Sequence, residues 1–106
     1  MRTNASTVLD KIISRLIHGL QPEKIYLFGS QSREEARPDS DYDLLVIVPN
    51  SNEPRYKREA HSYDLLWGIT TPVDVIVLTR AEFQQTCQVS TSLAATVQKE
   101  GKLLYG

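Results

Sequence analysis

Two carboxylates separated by one residue, Asp41 and Asp43, stand at the start of an apolar run that ends at Val48. Successive side chains of a β-strand point to opposite faces, so these two carboxylates would share one face of a strand. Carboxylates held that close repel each other unless a cation lies between them. Mg²⁺ takes carboxylate ligands and keeps other positions for water and phosphate oxygens. The pair therefore indicates a magnesium site.

A Gly-Ser turn, Gly29-Ser30, precedes this pair, with the ten residues 31–40 between them. Glycine allows a close approach to the backbone, and the free N–H groups at a helix N-terminus attract phosphate. A brief polar helix after Ser30 and a loop around Pro38 are predicted here. Together with the carboxylates, the turn indicates a site for Mg²⁺ and a nucleoside triphosphate.

The order Gly-Ser, ten residues, Asp-x-Asp resembles the signature of the polymerase-β-like nucleotidyltransferases. The run from Ser40 to Val46 and the chain length of 106 residues are most similar to the minimal nucleotidyltransferases. That group includes the antitoxins paired with HEPN-domain toxins. The resemblance extends from the first predicted helix to the closing residues 100–105. It implies the α/β nucleotidyltransferase fold, with a small mixed sheet of three to four strands flanked by helices.

The resemblance also implies roles for particular residues. Asp41 and Asp43 would bind two Mg²⁺ ions and through them the triphosphate, while Gly29 and Ser30 would hold its β- and γ-phosphates. Asp74 stands where the family places its third carboxylate, and it would bind the catalytic metal ion and help to deprotonate the incoming hydroxyl. Without the Gly-Ser motif, Asp74 would instead be interpreted as an ion-pair partner or a strand-end residue facing solvent.

Arginines in the segment between the turn and the carboxylates are candidates for phosphate contacts. Arg33 is the stronger candidate and Arg37 the weaker, because guanidinium groups bind phosphate oxygens well. The alternative is salt bridging with Glu34 and Glu35 on a solvated surface. Relatives often carry a basic residue after Gly-Ser and a glycine three residues further on, whereas this chain has Gln31 and Glu34 there.

Composition limits the class of protein. A chain of 106 residues with 41% hydrophobic and 24% charged residues predicts one globular domain over residues 1–106. The net charge of −1 argues against direct binding of long nucleic acids. Cys87 is the single cysteine, so no internal disulfide forms, and it is predicted to be a half-buried apolar residue. No apolar stretch approaches the roughly 20 residues of a membrane span, and a cytoplasmic protein is expected.

Hydrophobic periodicity and punctuation by proline and glycine predict the other elements. Thr79 and Glu82 have the spacing of a capping box at the start of a helix. The predicted elements are helices over 6–20, 54–67 (ended by Gly68), from Thr79, and 92–99 (ended by Gly101), with buried strands over 24–28, 42–48 and 73–78 and an edge strand or packed segment at 103–105.

The helix predicted over 54–67 carries two features with open interpretations. Its apolar residues at helical spacing predict a buried face, formed by Tyr56, Ala60, Tyr63, Leu66 and Trp67. Tyr63 and Trp67, like Tyr26 and Tyr42, are predicted to lie in the core rather than to stack on bases. The basic cluster of Arg55, Lys57 and Arg58 is interpreted as a solvated face, or as a contact for an acidic or RNA-bearing partner.

The resemblance therefore predicts a Mg²⁺-dependent enzyme that transfers AMP from ATP to a hydroxyl. The short chain leaves little room for an acceptor-binding domain, so a partner must present that hydroxyl. The expected partner is a HEPN-type RNase toxin modified on a tyrosine, in a hetero-oligomer where this chain is the antitoxin. One alternative is a non-catalytic antitoxin that masks its partner by binding. Another is an antibiotic-type adenylyltransferase, although those enzymes usually carry a further helical domain.

Overall fold

Apolar runs form a four-stranded sheet covered by helices in a computed structural model, which describes residues 4–28, 42–69 and 73–106. The elements in chain order are α1 (Asn4–Leu20), β1 (Lys24–Phe28), β2 (Tyr42–Val48), α2 (Arg55–Leu65), β3 (Val73–Thr79), α3 (Arg80–Cys87), α4 (Leu93–Glu100) and β4 (Lys102–Tyr105). The predicted helix and loop between Ser30 and Asp41 lie outside the described residues.

The sheet is mixed, as predicted, with the strand order β3-β2-β1-β4. β1 pairs antiparallel with both β2 and β4, whereas β2 and β3 are parallel. The parallel pair requires a crossover, and α2 provides it. β4 is an edge strand, which decides between the two interpretations of the closing residues. β3 forms the opposite edge.

Both faces of β2 are buried, because its side chains alternate between two apolar clusters. Leu44, Val46 and Val48 face α1 and α2, where Ile12 and Leu16 are fully buried. The alternate residues of β2, Leu45 and Ile47, pack with the helices of the other layer through Phe83, Ala94 and Val97. The prediction of a buried strand over 42–48 is confirmed.

Three element boundaries follow from local chemistry that is legible in the sequence. α1 ends at Leu20 because Gln21 takes a left-handed φ of 50° and Pro22 follows. The predicted capping box forms, since Thr79 Oγ1 accepts a hydrogen bond from the Glu82 N–H at 3.2 Å and Glu82 Oε1 accepts one from the Thr79 N–H at 2.9 Å. α4 ends at Gly101, whose N–H donates to the Val97 carbonyl at 2.7 Å.

The helix is confirmed and Leu66 is buried as predicted, but the rest of the predicted buried face is wrong, because Tyr56 and Ala60 are exposed. Tyr63 and Trp67 are exposed, whereas Arg58 is only 6% exposed and Ser62 is fully buried. The interpretation of Arg58 as part of a solvated basic face is therefore also wrong. Tyr42 does lie in the core, as predicted, and Tyr26 is half-buried.

The unpaired edge of β3 explains this orientation of α2. Val75 N–H donates to the Tyr63 hydroxyl at 3.2 Å, and Val77 N–H donates to Glu59 Oε2 at 3.2 Å. Arg58 Nη1 donates to the carbonyl of Val77 at 3.2 Å. Buried backbone groups left without partners are costly, so polar side chains of α2 turn toward the strand. Tyr56 and Trp67 consequently face outward, while Tyr63 is partly exposed and keeps its hydroxyl on the strand edge.

Arg58 also makes a two-pronged ion pair with Glu82. Its Nη1 and Nη2 donate to the two carboxylate oxygens at 2.8 and 3.1 Å. Hydrogen bonds from Arg58 and from the Thr79 N–H lower the pKa of Glu82 to about 2. This ion pair therefore joins α2, β3 and the start of α3.

Candidate active site

Two of the predicted site carboxylates face each other across neighbouring strands. Asp43 is the second residue of β2 and Asp74 the second of β3, and the parallel register pairs them directly. Adjacent strands lie about 4.8 Å apart, and paired residues project from the same face of a sheet. Phe28, the last residue of β1, pairs with Asp43 on its other side. The row of Phe28, Asp43 and Asp74 thus crosses three strands at one end of the sheet.

The carboxylate row lies on the α3/α4 face, because Asp43 alternates with Leu44 and has the same phase as Leu45 and Ile47. Asp43 is half-buried and Asp74 is exposed. This end of the face is therefore open to a solute. Asp74 lies on the strand next to that of Asp43.

The other predicted site residues lie outside the described residues. They are Gly29, Ser30, Arg33 and Asp41, and the weaker candidate Arg37 belongs with them. The residues that precede the turn and follow Asp41, Phe28 and Tyr42, both belong to the same end of the sheet as the carboxylate row. The roles of all these residues remain predictions.

The donor chemistry of the described pair fits Mg²⁺. Asp43 and Asp74 offer hard oxygen ligands at an accessible position, which suits an ion that keeps several waters or phosphate oxygens. Within residues 4–28, 42–69 and 73–106, no group of three or more His, Cys, Asp or Glu side chains could hold a metal ion. Asp41, the predicted third carboxylate, is not among these residues.

Tyr63 is a residue near the site that sequence reasoning misplaced. Its hydroxyl accepts a hydrogen bond from the N–H of Val75, the residue after Asp74. It therefore helps to hold the strand segment that carries Asp74. Helical spacing of aromatic residues predicts burial, so no sequence signal pointed to this role.

The described part of the chain gives little support to a reactive cysteine. Cys87 is half-buried, as predicted, and burial raises the pKa of its thiol, which disfavours the reactive thiolate. None of the described helices is both long enough and apolar enough to cross a membrane.

Comparison with known proteins identifies the family. The profile of the nucleotidyltransferase domain matches residues 9–104, nearly the whole chain. The chain belongs to the nucleotidyltransferase domain family. A comparison with curated proteins finds no match.

Solved structures share the fold at low sequence identity. A Sulfolobus solfataricus protein assigned as a nucleotidyltransferase is similar over 97% of this chain and 87% of its own, with 20% identity and a TM-score of 0.64. A toxin-antitoxin structure with AMP-PNP is similar over 98% and 74%, with 24% identity and a TM-score of 0.60. The toxin-antitoxin MntA-HepT is similar over 95% and 72%, with 21% identity and a TM-score of 0.60. The predicted nucleotidyltransferase fold is confirmed.

Proposed function

We propose that this chain is a Mg²⁺-dependent nucleotidyltransferase that transfers AMP from ATP to a tyrosine hydroxyl of a HEPN-type RNase toxin, and so acts as its antitoxin. The observation that carries the proposal is the pairing of Asp43 with Asp74 at an open end of the sheet. Membership of the nucleotidyltransferase family supports the reaction class. The likeness to toxin-antitoxin structures, one with AMP-PNP, supports the partner and the nucleotide.

Asp41 and Asp43 would bind the two predicted Mg²⁺ ions and through them the triphosphate, while Asp74 would bind the catalytic ion and help to deprotonate the incoming hydroxyl. Mg²⁺, when bound, supplies positive charge that stabilises the phosphoryl oxygens during displacement. The carboxylates themselves suit this role because two anions in register favour a cation between them. Gly29, Ser30 and Arg33 are proposed to bind the phosphates.

The two described carboxylates have different surroundings, which suggests different tasks. Asp43 lies between β1 and β3 and is half-buried, so it is suited to hold a fixed position. Asp74 lies on the edge strand and is exposed, so it can reach an incoming hydroxyl and accept its proton. The hydroxyl oxygen then bonds to the α-phosphorus, the bond to the β-phosphate oxygen breaks, and pyrophosphate leaves with that electron pair.

Replacing Asp74 with asparagine is expected to damage transfer more than nucleotide binding. An interaction made mainly in the transition state lowers turnover with little change in affinity. Asp74→Asn should therefore bind Mg²⁺ and a non-hydrolysable ATP analogue nearly as well as the wild type, whereas Asp43→Asn should lose binding as well. Calorimetric titration together with turnover measurements separates the two. Equal loss of binding in both variants would make Asp74 simply another metal ligand.

Modification of the partner tests the proposed function directly. Co-expression with the HEPN-type toxin, followed by intact-mass spectrometry, should show the toxin heavier by one or more AMP groups. The Asp43→Asn variant is the matched control and should leave the toxin mass unchanged. A tight complex with an unmodified toxin in the presence of ATP and Mg²⁺ would contradict the proposal and favour masking by binding.

A further inference from the structure

An aromatic stripe runs along the outward face of α2. We use this name for Tyr56, Ala60 and Tyr63, whose spacing of four and three residues places them on one side of the helix, and for Trp67, which lies two residues beyond the helix end at Leu65. Tyr56 is 69% exposed, Tyr63 47% and Trp67 86%. Single exposed apolar residues are ordinary on a protein surface, but three aligned aromatic rings form a patch typical of an interface.

Two opposite charges border the aromatic stripe on the same side. At 100° per residue, Lys57 and Asp64 are displaced about 100° and 80° from Tyr56 around the helix. They stand seven residues, or about 10 Å, apart along it. Both are exposed, and among the described residues neither makes an ion pair. The stripe thus has a basic border at its N-terminal end and an acidic border at its C-terminal end.

This distribution of charge is self-complementary for antiparallel helices. A two-fold axis between Ala60 and His61 would bring Lys57 of one copy opposite Asp64 of the other, and Tyr56 of one copy between Tyr63 and Trp67 of the other. The small side chain of Ala60 near the axis allows the two helices to approach closely. A parallel two-fold arrangement would instead place the Lys57 and Asp64 side chains of the two copies on opposite sides of the contact, where they could not pair. The same patch on both copies is what a two-fold dimer requires.

We infer that the aromatic stripe is the contact between two copies of this chain, packed antiparallel through α2. The exposed parts of the three rings amount to on the order of 400 Å² per copy, given about 150–250 Å² for each aromatic side chain. That is below the roughly 800 Å² per partner of a standard interface, so only a weak, reversible dimer is expected.

Dimerisation through this face is compatible with nucleotide transfer but does not depend on it. α2 packs with α1 on one side of the sheet, where Leu66 joins Ile12 and Leu16 in the same cluster. The carboxylate row of Phe28, Asp43 and Asp74 faces the other side, toward α3 and α4. The inferred contact and the carboxylates therefore lie on opposite sides of the sheet, and the stripe approaches the site only at Tyr63, whose hydroxyl accepts from the Val75 N–H beside Asp74.

Sedimentation equilibrium of the full chain measures the association from about 1 µM to about 1 mM, the range that covers weak interfaces. Wild type should convert from monomer to dimer. Because Trp67 is the only tryptophan, its emission should shift to shorter wavelength over the same range. Tyr56→Ser combined with Trp67→Ser should raise the Kd at least about 30-fold, since buried tryptophan and tyrosine carry much of the energy of an interface. Val89→Ser combined with Leu93→Ser removes two exposed apolar side chains outside α2 and should leave the Kd unchanged.

A charge exchange tests the antiparallel register. Lys57→Asp or Asp64→Lys alone should raise the Kd about 3- to 10-fold, because each places like charges together across the axis. The two substitutions combined should restore the wild-type Kd. A monomer at every concentration, or a combined variant no better than the single ones, would overturn the inference. A monomer whose Trp67 emission changes only with the toxin or an oligonucleotide would assign the stripe to that partner instead.

Discussion

Asp43→Asn is expected to lower nucleotide transfer about 1,000-fold or more and to leave the fold intact. Asparagine keeps the shape of the side chain but removes the charge that would hold Mg²⁺, and the metal contributes several kcal/mol of charge stabilisation. Without metal, the variant should melt at the same temperature as the wild type or higher, because one carboxylate beside Asp74 is gone. Label transfer from α-³²P-ATP and thermal melts with and without Mg²⁺ measure both effects. Combining Asp43→Asn with Asp41→Asn should abolish transfer.

Glu53→Gln is the matched control for this experiment. Glu53 is an exposed carboxylate just before α2, and its replacement removes the same charge away from the carboxylate row. Transfer by this variant should equal that of the wild type. Label transfer that persists when Asp43 and Asp41 are both replaced would contradict the proposed metal site, whatever the melting temperatures show.

Loss of the Glu82 charge is expected to cost stability rather than chemistry. Glu82→Gln would leave the buried guanidinium of Arg58 without a counter-ion, and removing one partner of a buried ion pair is strongly destabilising. Since the Glu82 side chain is 45% exposed, solvent screening reduces the effect, and about 2 kcal/mol is expected. Urea unfolding measures the free energy. Arg58→Met combined with Glu82→Gln should recover much of the loss, because neither charge then stands alone.

Acid titration checks the same ion pair independently. The pKa of Glu82 falls from its usual 4.5 to about 2 in the folded chain. A lowered pKa means that the stabilisation is complete above about pH 4.5 and is lost as the pH falls through about 2. Wild type should lose unfolding free energy across this window, and Glu82→Gln should lose less. Identical acid profiles in the two proteins would show that the ion pair contributes nothing in solution.

Much of the fold could be predicted because each strand is a short apolar run with clear limits. β1 lies between Pro22 and Gly29, and β2 contains one charge in seven residues, so their bounds agree with the prediction. The capping box at Thr79 depends on two side chains of one helical turn, so it could be predicted from four consecutive residues. Asp74 could be placed beside Asp43 only on the condition that their strands are neighbours, which the sequence left open and the register of β2 and β3 meets.

The orientation of α2 could not be predicted from periodicity. Its aromatic residues have the spacing of a core face, yet Arg58 and Ser62 are the residues that face inward. What decides between the two faces is the edge of β3, a strand that follows later in the chain and offers N–H groups to Tyr63 and Glu59. Hydrophobic patterns indicate which residues are apolar, but they contain no information about which backbone groups lack hydrogen-bond partners.

Side-chain hydrogen bonds along β3 also bear on aggregation. An exposed strand edge is a template on which extended chains add and from which fibres grow. On β3, the backbone of Val75 and Val77 is already hydrogen-bonded to side chains of α2. An added strand would have to displace the Tyr63 hydroxyl, the Glu59 carboxylate and the Arg58 guanidinium before it could pair there. Growth of the sheet at this end is therefore discouraged in the folded chain. Local opening of α2 would remove that protection, so substitutions that loosen α2 should raise the tendency to form fibrils even where the rest of the sheet stays folded.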